Sequence, residues 1–145
     1  MKERRLLTMK IHYDVEGGEF ISAGTASSKL KKTLKQLGIS PSVIRKVSIA
    51  MYEAEINMVI HANGGVIDVD ITTETINIVI EDEGPGIKNL DLAMKAGYST
   101  ASKQAREMGF GAGMGLPNIK KNCDKMKIST EVGKGTKVKL TFSII

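Results

Sequence analysis

Glu53 and Asn57 stand four residues apart in Glu53-Ala54-Glu55-Ile56-Asn57. On a helix that spacing sends both side chains out of one face. A carboxylate there can take a proton from a water or a hydroxyl. A carboxamide oxygen suits a hard cation such as Mg2+, which favours oxygen donors together with waters and phosphates. A solvated helix face would carry the same pair. Asp82 is the next candidate, in Asp82-Glu83-Gly84-Pro85-Gly86-Ile87. Its carboxylate suits either of two roles. It can accept N–H bonds from the turn that follows, or it can accept a hydrogen bond from the exocyclic amine of adenine. In the second case Gly84 and Gly86 let the ring lie against the backbone. The last stretch is Gly109-Phe110-Gly111-Ala112-Gly113-Met114-Gly115-Leu116, just ahead of a helix expected from Pro117. Amides at a helix start, beside glycines, can hold phosphate oxygens. The stretches together describe one nucleotide pocket, with Asp82 at the base end and the second glycine cluster at the phosphate end.

Several other nucleotide sites are excluded. The cluster has no Gly-Lys-Ser/Thr as in a P-loop. It does not follow a strand within a βαβ unit, as a dinucleotide fold requires. The His-Arg-Asp and Asp-Phe-Gly elements of a eukaryotic-type protein kinase are missing. Cys123 is the only cysteine, so neither an intrachain disulfide nor a cysteine-based metal cluster can form. It reads as a packed thiol rather than a nucleophile. His61 reads as a helix-end residue, and His12, in the first strand, is a poor phosphoacceptor.

These residues need elements to hold them. Leu7, Met9, Ile11, Tyr13 and Val15 alternate, which predicts a strand over 5–15 closed by Gly17-Gly18. Leu30, Leu34 and Leu37 give a narrow stripe to a helix over 25–37, stopped by Gly38. Ser40-Pro41 opens the next helix, 41–62. Its stripe takes in Val43, Ile44, Val47, Ala50, Met51, Ala54 and Met58. Residues 66–81 read as a hairpin with Glu74-Thr75 at its turn. A short helix is expected near 89–96. A glycine-bounded irregular stretch then runs from Gly97 to Gly115, a length more often functional than idle and built like a moving lid. Pro117 to Met126 reads as the last helix, with Leu116, Ile119 and Cys123 inward and its lysines solvated. Strands over 128–132 and 136–144 join through Gly133-Lys134-Gly135. The expectation is a single domain over 1–145. Its class is α/β: a two-layer sandwich with a mostly antiparallel mixed sheet covered on one face by helices.

With 145 residues at 41% hydrophobic and few aromatics, the core must be largely aliphatic. The net charge of +5 favours anionic partners without selecting nucleic acid. Lys29, Lys31, Lys32 and Lys35 read as a solvated helix face. No apolar run is long enough to cross a membrane and no secretory h-region opens the chain. A cytoplasmic location is the expectation.

In combination these motifs resemble the Bergerat-type ATPases, the superfamily of gyrase, a mismatch-repair ATPase and histidine kinases. The lines EAEINMVIHANGG, IEDEGPGI, GFGAGMGLPNIKK and EVGKGTKVKLTF are closest to its small bacterial branch, the anti-sigma-factor serine kinases and stressosome switch kinases. The resemblance spans roughly residues 7–143. It implies ATP or ADP with Mg2+, Asn57 as the metal ligand and Glu53 as general base toward an acceptor serine. Asp82 would contact adenine, with Gly84, Pro85, Gly86 and Ile87 shaping the base pocket. Residues 97–115 would form a lid. Gly111, Gly113, Met114, Gly115 and Leu116 would hold phosphates, and Thr136 would sit near the adenine end. The implied substrate is a serine or threonine on a STAS-type partner. A sigma factor or phosphatase effector, and a homodimer, are further implied partners. Anti-sigma members often carry a basic residue just before the last lid glycines, where this chain has Gly111 or Ala112. Arg106 or Lys103 would then meet the γ-phosphate, or be solvated. That departure favours the switch kinases and leaves open an ATP-gated binding module with little catalysis.

Overall fold

The computed structural model describes residues 8–17, 23–61, 64–82 and 115–145, together with Gly84 and Met94. Their order is β1 (Met9–Glu16), α1 (Thr25–Gln36), α2 (Pro41–His61), β2 (Gly64–Ile71), β3 (Thr75–Asp82), α3 (Gly115–Asn122), β4 (Lys125–Glu131) and β5 (Gly135–Ser143). The strands form one sheet in the order β1-β2-β3-β5-β4. All four pairings are antiparallel, so the largely antiparallel sheet expected from the hairpin-like segments is present.

Period-2 alternation sorts the two faces of the sheet. Ile67, Val69 and Ile71 on β2, Ile76, Ile78 and Ile80 on β3, and Val138, Leu140 and Phe142 on β5 are buried. They form one core with Leu30 and Leu34 of α1, with Ile44, Val47, Met51 and Met58 of α2, and with Ile119 of α3. Asp68, Glu81 and Lys139, at the intervening positions, are exposed. The helices therefore cover one face and the other carries polar side chains, as the two-layer reading requires. Among the described residues the core is aliphatic but for Phe142. Two hairpins, β2–β3 and β4–β5, join along the β3–β5 seam, and β1 pairs with the outer side of β2.

α2 is the central helix. It packs against α1 on one side and α3 on another, and also touches β1, β2 and β5. Its burial is wider than a single stripe, since Glu55, Ile56 and Val59 are buried along with the expected residues. A helix enclosed on several sides loses its amphipathic signature. Leu37, expected inward on α1, is instead 47% exposed. α1 ends at Gln36 and its cap residue turns outward.

Several boundaries differ from the pattern reading: β2 starts at Gly64 rather than at 66, and β4 runs from Lys125 to Glu131 rather than over 128–132. The β2–β3 turn is Thr72 to Glu74, not Glu74-Thr75, because the Thr72 hydroxyl accepts the amides of Glu74 and Thr75 at 3.1 and 2.9 Å. This is a hydroxyl-mediated turn. The last helix runs from Gly115 to Asn122 rather than from Pro117 to Met126. Met126 belongs to β4, where it alternates with Ile128 and Thr130 toward the core. The Ser40 hydroxyl, read as an N-cap, lies 3.4 Å from that of Ser42.

Candidate functional site

Asp82 is the last residue of β3, in phase with Ile76, Ile78 and Ile80. It therefore points to the face that the helices cover. Its Oδ1 accepts the amide of Gly84 at 2.9 Å and the amide of Thr136 at 3.1 Å. The turn-capping role read from the sequence is thus filled by one oxygen. Oδ2 makes no hydrogen bond with the described residues. Carboxylate bonds to backbone amides are charge-assisted and hold the group in one orientation. Gly135 is the reason β5 can come so close. It sits at φ 116°, and a Cβ on it would collide with the Asp82 carbonyl oxygen. Thr136, in turn, places its hydroxyl 2.9 Å from that of Thr130 on β4. Asp82 and Thr136 are thus brought together across the seam.

Asn57 lies on α2 and is half-buried. Across from it is the first residue of α3. A Cβ built on Gly115 would lie 2.9 Å from both Asn57 Nδ2 and Asn57 Oδ1. The start of α3 therefore rests on the Asn57 carboxamide with no space for a side chain between them. Leu116 follows, half-buried and packed on the core. Glu53 is also half-buried. The structure thus joins Asn57 with the start of α3, and Asp82 with Thr136, all on the helix-covered side. Gly84 is buried beside Asp82. Gly86, Ile87, Gly111, Gly113 and Met114, with Pro85 and the lid over 97–114, lie outside the described residues. So do the helix near 89–96, Met94 apart, and the side chain of His61.

Pattern reading missed Glu55. It is 3% exposed and accepts hydrogen bonds from the start of α1. A second acid among the mostly apolar residues from Ile49 to Ile60, besides Glu53 and Asn57, was the available signal. Two glutamates two residues apart on a helix cannot share a face. With Glu53 beside Asn57, Glu55 had to point elsewhere, and in the structure it points to the buried start of α1.

Remaining polar groups are peripheral. His12 pairs with Asp68 across β1 and β2, Nδ1 to Oδ1 at 2.6 Å, and its Nε2 is 3.1 Å from Asp14 Oδ1. The hydrogen bond to Asp68 first, then the one to Asp14, raises the imidazole above its ordinary value. Burial pushes the Cys123 thiol up, which disfavours the reactive thiolate. Lys29, Lys31, Lys32 and Lys35 are exposed, as expected. Lys29 and Lys32, with Gly24, Thr25 and Ser28, line a cavity of about 340 Å3 at the start of α1. Asn57 and Asp82 do not line it. No described helix is long and apolar enough to cross a membrane.

A nucleotide-binding ATPase domain is the class that this sheet, its covering helices and these motifs define. The chain belongs to the histidine kinase-like ATPase domain family, whose sequence model matches residues 21–142. Its relatives place it in the small branch of anti-sigma factors and serine/threonine kinases. It is 32% identical to the anti-sigma F factor of Clostridium acetobutylicum, over 86% of this chain and 84% of that protein. It is 27% identical to the serine/threonine-protein kinase RsbT of Bacillus subtilis, over 74% of this chain and 78% of that one. In three dimensions it resembles the structure of the RsbU and RsbW domains of Rv1364c from Mycobacterium tuberculosis. The TM-score there is 0.62 at 18% identity, over 92% of this chain and 31% of the other. The mycobacterial sensor histidine kinase MprB gives 0.53 at 15% identity, over 93% and 97%. At those identities the two structures speak for the fold. The family implies ATP binding.

Proposed function

We propose that the chain is an ATP-dependent protein-serine/threonine kinase acting on a STAS-type regulatory partner. One observation carries the reading. Asp82, anchored by Thr136, and Asn57, against the start of α3, both lie on the helix-covered side of the sheet, which supports a shared nucleotide site. The donors fit Mg-ATP. Asp82 Oδ2, without a hydrogen bond to the described residues, would accept from the adenine amine, and the Asn57 carboxamide oxygen suits a hard cation. No group of three or more His, Cys, Asp or Glu that could hold a metal occurs among the described residues. On this reading a cation would be held by Asn57 and phosphate oxygens, an arrangement Mg2+ favours. When bound, Mg2+ neutralises charge on the phosphates.

This chain's residues divide the work. Asp82 and the turn at Gly84, with Gly86 and Ile87, hold the base, and Thr136 fixes Asp82. The amides of Gly111, Gly113, Met114, Gly115 and Leu116 hold phosphate oxygens. Glu53 takes the proton of the partner's hydroxyl as that oxygen bonds to the γ-phosphorus. The bond from that phosphorus to the β–γ bridging oxygen breaks, leaving ADP and a phosphoserine or phosphothreonine. The relation to a serine/threonine-protein kinase supports transfer. A second reading is favoured by the anti-sigma F factors among the relatives. In it the domain binds a sigma factor or another effector under nucleotide control and transfers little phosphate.

Mixing the protein with Mg-ATP and candidate STAS partners tests both. Transfer should occur with the intact chain and stop in Glu53→Ala, while Glu53→Ala still binds ATP. Transfer undiminished in Glu53→Ala overturns the base assignment. ATP-dependent partner capture without modification selects the second reading.

A further inference from the structure

α1 starts without a cap of its own. Gly24 stands at its N-cap position at φ 94° and offers no side chain. The first amides of a helix need an acceptor from somewhere. Serine, threonine or aspartate at that position would provide one locally. Position 24 resists them, because its φ is left-handed and a Cβ there would lie 2.9 Å from Tyr52 Cε1.

The acceptor comes instead from α2. Glu55 Oε2 accepts the amides of Gly24 at 2.9 Å and Ala26 at 3.1 Å. Its Oε1 accepts the amide of Ser27 at 2.9 Å and the Ser27 hydroxyl at 2.8 Å. Both oxygens are thus committed, to donors 28 to 31 residues upstream. The phenol of Tyr13 on β1 is raised above its ordinary value by burial first and by the charge of Glu55 second. Desolvating a carboxylate costs several kcal/mol unless it is well paired. A chain needing only a helix cap has cheaper solutions.

The position of Glu55 on α2 suggests what the arrangement is for. It lies two residues after Glu53 and two before Asn57. At 3.6 residues per turn it faces away from both. The apolar contacts of Val47, Met51 and Met58 hold α2 in place without direction. Four hydrogen bonds to one carboxylate are directional. Side-chain atoms roughly 5 Å from a helix axis move about 1 Å for a 10° rotation. At a reacting centre, about 1 Å is enough to cost on the order of 100-fold in rate.

We propose that Glu55 is a positioning residue, which fastens the middle of α2 to the first turn of α1 and so sets the directions of Glu53 and Asn57. The consequence for nucleotide binding rests on the kinase reading, whereas the consequence for Asn57 itself does not.

Two variants of the full chain test it. Glu55→Gln keeps the shape but presents an NH2 to some of the four donors. Ser27→Ala removes only the hydroxyl bond. The first readout is the side-chain amide resonances of Asn57 in the ligand-free protein, with those of Asn77 and Asn122 as internal comparison. The second is ADP affinity with Mg2+ and with EDTA. In Glu55→Gln the Asn57 pair should shift or broaden while the comparison pairs stay. The Mg2+-dependent gain in ADP affinity should fall at least fivefold, with the EDTA value within twofold. Ser27→Ala should move both readouts the same way by less, and it decides the matter if Glu55→Gln does not fold. Unmoved Asn57 resonances overturn the proposal, as does an equal loss in both buffers that tracks the loss of Tm. If the unmutated protein binds no ADP, the nucleotide reading falls and the Asn57 resonances alone decide the role of Glu55.

Discussion

Asp82→Asn separates the structural work of this side chain from its proposed work on the base. Only Oδ1 is engaged by the described protein, through the amides of Gly84 and Thr136. An asparagine can place its carbonyl oxygen on the same two donors. Each bond then becomes neutral rather than charge-assisted, a loss of about 1 kcal/mol at most per bond. The fold should therefore lose about 1–2 kcal/mol, which for a chain of this size lowers Tm by roughly 4–8 °C. The vacated Oδ2 position becomes an NH2. Opposite an adenine amine it turns an acceptor into a second donor. The lost charged hydrogen bond, about 1.5–3 kcal/mol, together with the donor–donor conflict, brings the binding loss to about 3–4 kcal/mol. That corresponds to roughly 100- to 1,000-fold in Kd for ADP. Isothermal titration of ADP, with a thermal melt of the same sample, reads both quantities. An Asp82→Asn protein that binds ADP within threefold of the unmutated chain would refute the assignment of the base end. A collapse of Tm beyond 15 °C would instead show that more of the fold depends on Asp82 than these two bonds.

Two further perturbations address other parts of the molecule. Gly115→Ala places a methyl 2.9 Å from both polar atoms of the Asn57 carboxamide, which must then move by several tenths of an ångström. Metal-ligand distances tolerate about 0.2 Å, so Mg2+-dependent ADP affinity should fall about tenfold while Tm stays within a few degrees, measured by titration and melting. His12→Ala should lower Tm at pH 5.5 and leave it nearly unchanged at pH 9. The folded-state pKa of His12 is raised, so its stabilisation is full below the ordinary value of about 6.5 and fades as pH rises through the raised one. Equal effects at both pH values would assign His12 a packing role only.

The elements of the fold were legible because their patterns are local. β2, β3 and β5 alternate, α2 begins at a Ser-Pro signal, and turns fall at glycines. The motifs of the candidate site are local in the same way: Glu53 and Asn57 share a helix face, and Asp82 ends a strand. What could not be read depends on distant partners. The role of Glu55 requires Gly24, Ala26 and Ser27, and nothing near Glu55 in sequence announces them. The start of α3 was placed two residues late because Gly115 reads as loop. In the structure it is helical, and its lack of a side chain answers to Asn57. The outward turn of Leu37 is likewise decided by where α1 stops against the rest of the fold, not by the spacing of its leucines.

The β3–β5 seam has a consequence for how the molecule comes into being. Each hairpin zips up over a short turn, whereas the contact between Asp82 and Thr136 closes over 54 residues and bears a larger entropic penalty. The base end of the site therefore does not exist in either hairpin alone. A nascent chain must emerge past Thr136 before the end of the site proposed for the base is complete. On the proposed reading, a nucleotide seated there would act as a rivet between the two halves of the sheet, strengthening a junction that neither hairpin makes alone.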